Sequence, residues 1–124
     1  MTQYMFMLFD DESWYDNVTD ESWQQAMKLH GDFAAAVEAA GARITGGDAL
    51  LRTTTATTVR NSFEGGEPLV TDGPFLETKE ALGGYYVLEC RDLDQAIELA
   101  GKCPSTVIEI RPVMDTSESS GPPA

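Results

Sequence analysis

The chain contains a single histidine, His30. With an unperturbed pKa of about 6.5, its ring is the side chain best suited to take or give a proton near neutral pH. A carboxylate that orients such a ring raises its basicity. Asp72 is the carboxylate expected to do so, because the turn around Gly73 and Pro74 can point it into a cleft. Both residues have a plainer reading. His30 can be a core histidine bonded to a backbone carbonyl, and Asp72 can accept backbone N–H bonds that hold its own loop.

Other candidates surround this pair. Arg60 can clamp a substrate carboxylate through two parallel hydrogen bonds, or pair inside the protein with Asp72 or Glu77. Glu77 and Lys79 follow the Asp72 turn and can contact a ligand. Glu77 with Glu80 can also approach a hard cation, although a solvated or capping role is commoner and no metal is expected. Trp14 and Tyr15 can cover a pocket or anchor their loop. Cys90 and Cys103 form neither a C-x-x-C pair nor a Cys/His cluster and read as reduced thiols. No P-loop, G-x-G-x-x-G, G-x-S-x-G or H-E-x-x-H is present, so no cofactor is expected and nucleotide and triad chemistry are disfavoured.

The elements that must position these groups follow from hydrophobic patterning. Residues 4–9 are apolar throughout and too short for a helix, as in a strand covered on both faces. Residues 10–20 read as an acidic loop. Thr19 then caps a helix over 20–40, with Asp20 and Glu21 at its positive end. Its expected stripe is Trp23, Met27, His30, Ala34 and Val37, closed by Gly41. A strand interrupted by Gly46 and Gly47 spans 42–51, and a hairpin joins the threonine-rich 54–61 to Pro68, Leu69 and Val70. Residues 85–90 form a second two-faced strand. Asp92 and Gln95 resemble a capping box for a second helix buried through Leu93, Ala96, Ile97 and Ala100. Residues 106–111 alternate as an edge strand, and the Ser-, Gly- and Pro-rich end from 114 onward is expected to be a flexible tail after a domain over 1–113.

This order is β-α-β-hairpin-β-α-β, an α+β ferredoxin-like fold whose two all-apolar strands lie centrally. Two helices cover one sheet face only, so the other face calls for a second copy of the chain. The 124 residues, 42% of them hydrophobic, suffice for one core. A net charge of −13 repels phosphate backbones and anionic lipid, so neither nucleic acid nor membrane is an expected partner. With no spanning run and no secretory n-region, the expected compartment is the cytoplasm.

The segment Asp72-Gly73-Pro74-Phe75, with Glu77-Thr78-Lys79-Glu80 and Gly83-Gly84-Tyr85 after it, resembles the signature of the YCII-related, DGPF-domain family. The likeness extends through Thr57-Thr58-Val59-Arg60, Asp92-Leu93-Asp94-Gln95-Ala96 and Glu109-Ile110-Arg111-Pro112-Val113, and so covers nearly all of 4–113. It implies a ferredoxin-like fold paired as a dimeric α/β barrel. It also implies that His30, eleven residues before Gly41, occupies the place of an active-site histidine. The aspartate of an Asp-Pro pair that accompanies this histidine in the family falls here at Cys103-Pro104. Two functions remain open. One is a small-molecule pocket in which His30 transfers protons in a cofactor-free isomerase, lyase or dehydrochlorinase-like reaction. The other is a non-catalytic binding or regulatory protein associated with an extracytoplasmic-function sigma factor, as the genetic neighbourhood of many relatives implies.

Overall fold

In the computed structural model, which describes residues 1–117 together with 121 and 122, the apolar run is the middle of a ten-residue strand, β1 (Thr2–Asp11). Its side chains alternate: Tyr4, Phe6 and Leu8 are buried, while Met5 and Met7 are half-buried on the opposite face. A single 3₁₀ stretch (Glu12–Asn17) then leads to α1 (Asp20–Ala39). Thr19 and Ser22 cap α1 reciprocally. Ser22 N–H donates to Thr19 Oγ1 at 3.1 Å, and Thr19 N–H donates to Ser22 Oγ at 2.9 Å. Gly41, with φ of 80°, closes the helix as its position suggested.

The buried face of α1 is rotated from the expected one. Phe33 and Val37 are buried, with Ala26, His30 and Ala36 beside them, whereas Trp23, Met27 and Ala34 face outward. Both stripes pass through His30 and Val37. Phe33 and Ala34 are about 100° apart on the helix, and burying the phenyl ring removes far more apolar area from water than burying the alanine methyl.

β2 (Arg43–Ala49), a 3₁₀ turn (Thr53–Thr55), β3 (Thr57–Arg60) and β4 (Leu69–Asp72) follow, then the long β5 (Glu80–Cys90). α2 (Leu93–Ala100) and β6 (Val107–Pro112) complete the chain. β3 and β4 pair as a separate two-stranded ribbon, and the main antiparallel sheet runs β2-β5-β1-β6. This is an α+β, ferredoxin-like arrangement with the two apolar strands at its centre. Asp92 caps α2 by accepting from Gln95 N–H at 2.9 Å. The Gln95 side chain does not close the box. Its Oε1 accepts from Arg91 N–H at 2.7 Å and its Nε2 donates to Ala40 C=O at 2.9 Å, which ties the start of α2 to the end of α1. Gln95, Ala96 and Leu99 therefore form the buried stripe, and the expected Leu93 and Ile97 are turned outward.

Both helices pack on one sheet face, where Phe33, Val37, Ala96 and Leu99 join Tyr4, Phe6, Leu8 and Leu88 in the core. The opposite face carries cross-strand rows of apolar side chains. Met5 stands against Val87, Met7 against Tyr85, and Phe9 against Leu82 and Val107. Glu109 and Arg111 of β6 flank these rows. Among the described residues no helix is long and apolar enough to cross a membrane. Residues 114–117 are exposed, and residues 118–120 and 123–124 of the expected tail lie outside the described ones.

Candidate functional site

The periodicity of α1 brings His30 and Phe33 to neighbouring points of one face, and both meet the same side chain of the sheet, Tyr86. His30 Nδ1 lies 2.7 Å from Tyr86 Oη. The tyrosine ring packs at 5.1 Å from Phe33 and 5.9 Å from His30, centroid to centroid. Tyr86 points to the helices because it stands two residues from the buried Leu88, on the same face of β5.

Alternation on β1 supplies the next group. Tyr4, Phe6 and Leu8 face the core, and Asp10 continues that face at the end of the strand. Its Oδ1 accepts from Thr106 N–H at 2.7 Å and from Thr106 Oγ1 at 2.9 Å, and its Oδ2 accepts from Ser105 Oγ at 2.8 Å. Asp10 thereby pins the loop between α2 and β6, the loop that carries the buried Cys103. His30, Tyr86, Asp10 and Cys103 come from four different parts of the chain; His30 bonds Tyr86, and the charges of the four reach one another at one corner of the sheet.

Their electrostatics are coupled. Burial pulls His30 below its ordinary value, and the Asp10 charge partly opposes this. Burial, and then Cys103, push Tyr86 upward. Burial, and then Asp10, push Cys103 up to about 12. Near neutral pH the corner therefore holds a neutral imidazole, a protonated phenol and a protonated thiol beside one carboxylate. A group with this makeup can donate to, accept from and orient a polar ligand.

The model of the YCII-related domain matches residues 2–117. The chain belongs to this family. An uncharacterized protein of Rhizobium meliloti (strain 1021) is 46% identical over 69 residues, a match that covers 52% of this chain and 54% of the relative. The chain thus spans about half the length of that relative.

Within this YCII-related domain the expected site residues separate. The hydrogen bond of His30 goes to Tyr86, and the carboxylate whose charge reaches it is Asp10. Asp72 is placed elsewhere, opposite Thr57 at the end of the β3–β4 ribbon. Its turn is held by backbone and hydroxyl groups: Gly73 N–H donates to Ala56 C=O at 2.8 Å, and Thr58 Oγ1 donates to Gly73 C=O at 2.7 Å. Arg60 lies over the Phe75 ring, its Cζ 5.0 Å from the centroid, and among the described residues it forms no ion pair with Asp72 or Glu77. Glu77 and Lys79 are exposed, and the Lys79 charge acts on Asp11. Among the described residues no three His, Cys, Asp or Glu side chains are grouped to hold a metal ion.

Trp14 sits edge-on to Tyr15 at 5.1 Å and tilted against Trp23 at 6.4 Å, so it anchors the first loop to α1. The same loop is tied down by a network that sequence reading missed. Glu12 accepts from Thr53 N–H, and Arg52 bonds Asp16 at 2.8 Å. Two surface hollows of about 600 and 570 Å³ lie at the opposite end of the sheet, around Arg43 and Glu89 and around Gln3 and Val113. Neither borders His30.

Proposed function

We propose that this YCII-related chain binds a small molecule at the His30 corner and that His30 is the proton-transfer group of a cofactor-free isomerase, lyase or dehydrochlorinase-like reaction. The observation that carries the reading is the 2.7 Å contact between His30 Nδ1 and Tyr86 Oη, made at the junction of helix and sheet with the Asp10 carboxylate close by. A histidine that served packing alone would be expected against a backbone carbonyl. Here its partner is a second titratable side chain, as in sites that move protons. The reading includes a homodimer, in which a second sheet would cover the rows built on Met5, Met7, Tyr85 and Val87, on the face opposite the His30 corner.

A melting screen against a metabolite library tests this. Compounds that raise the melting temperature of the wild type should lose that effect, or lose turnover, in His30→Ala. A second reading, a binding or regulatory partner of a sigma factor, draws on the net charge of −13. It takes precedence if hits stabilise the wild type and His30→Ala alike with no turnover.

A further inference from the structure

The proposed site leaves open which nitrogen of His30 carries the proton, and this decides what the ring offers a ligand. Three observations bear on it. The contact between His30 Nδ1 and Tyr86 Oη is short, 2.7 Å. Among the described residues, Nδ1 is also the sole hydrogen-bond partner of the Tyr86 hydroxyl. Both groups sit where burial favours their uncharged forms.

Two neutral arrangements are possible. If Nδ1–H donated to Oη, the phenolic proton would have no protein acceptor and would be stranded at a half-buried position, at the cost of an unmade bond. If Oη–H donates to Nδ1, the more acidic proton meets the more basic nitrogen, and the donor left without a protein acceptor is Nε2–H, which is then available to a ligand. We infer that Tyr86 donates to His30 Nδ1 and thereby holds the neutral ring with its proton on Nε2, so that His30 presents an N–H donor to the bound molecule. This rests on the proton-transfer reading and deepens it. The ligand atom that His30 Nε2–H meets is an acceptor, such as a carbonyl or carboxylate oxygen. Tyr86 is then a positioning residue, fixing the tautomer through a bond to the ring's far side.

The presence of one histidine makes the test direct, since every imidazole nitrogen signal belongs to His30. Nitrogen-15 spectra of the unliganded protein, recorded above the imidazole titration, should show an imine-type Nδ1 and an N–H-type Nε2. In Tyr86→Phe, which keeps the ring, both shifts should move toward the averaged values of a free side chain. An N–H-type Nδ1 in the wild type, averaged shifts in the wild type, or shifts that Tyr86→Phe leaves unchanged would each overturn the inference. If Tyr86→Phe does not fold, a correlation between the Tyr86 hydroxyl proton and Nδ1 in the wild type supports it, and a proton bound to Nδ1 overturns it. No ligand is needed, so an unproductive melting screen and a wrong tautomer are separate results.

Discussion

At the scale of single residues, the pH response of His30 follows from the two opposed influences on it. Burial lowers its affinity for protons, so the unfolded chain binds a proton more readily than the native one between the depressed value and about 6.5. The stability this group contributes is complete above the unfolded value and is lost as pH falls through that window. Urea titrations at a series of pH values should show a decline below about pH 6.5 that His30→Gln flattens. Asp10 opposes the depression, so Asp10→Asn should lower the His30 titration midpoint further, whereas Asp72→Asn should leave it in place. Histidine NMR reads both, and a midpoint that follows Asp72 instead would mean the ribbon reaches the corner after all. Removing the ring by His30→Ala loses one hydrogen bond and leaves the Tyr86 hydroxyl unpartnered, a cost of roughly 1–2 kcal/mol in chemical denaturation. His30 was legible because no other histidine competed for attention. Asp10 was not, although the alternation Tyr4, Phe6, Leu8, Asp10 carries it onto the core face, because its acidic neighbours made it read as the start of a loop.

At the scale of elements, two glycines separate backbone strain from helix propensity. Gly73 has φ of 99° and open space where a Cβ would stand, so the penalty of Gly73→Ala is conformational and should exceed about 1 kcal/mol in thermal or urea unfolding. A neutral substitution would mean that the turn relaxes to a right-handed backbone. Gly31 lies inside α1, also facing open space, and Gly31→Ala should stabilise by up to about 1 kcal/mol. The existence and type of both helices and all the main strands could be read from caps, periods and turn residues, since these are local. The rotation of α1 and α2 could not. Whether Phe33 or Ala34, and Leu99 or Ile97, turns inward depends on what the sheet offers, and the sheet is assembled from strands distant in sequence. The link between Gln95 and Ala40 was hidden for the same reason, being a bond between helix ends 55 positions apart.

At the scale of the whole molecule, the open sheet face sets the expected assembly. Rows of Met5 with Val87, Met7 with Tyr85 and Phe9 with Leu82 form an apolar surface that a partner sheet would cover. Light scattering should return twice the 13.5 kDa chain mass, and Val87→Glu should return one chain mass while the circular dichroism of the fold is kept. A wild-type monomer at micromolar concentration would remove the dimer from the proposed function.

The two buried thiols have a use that does not depend on function. Held protonated in the native fold, with Cys103 pushed up to about 12, they react with alkylating reagents only when the chain around them opens. Cys90 lies at the end of the central strand β5, paired with Thr2, and Cys103 in the loop that Asp10 pins, so the two sulfurs are clocks set in different regions. Pulsed alkylation read by peptide mass would time each one. If Cys103 is labelled faster than Cys90, the corner that holds His30 breathes independently of the sheet, and ligand entry can proceed through that local opening.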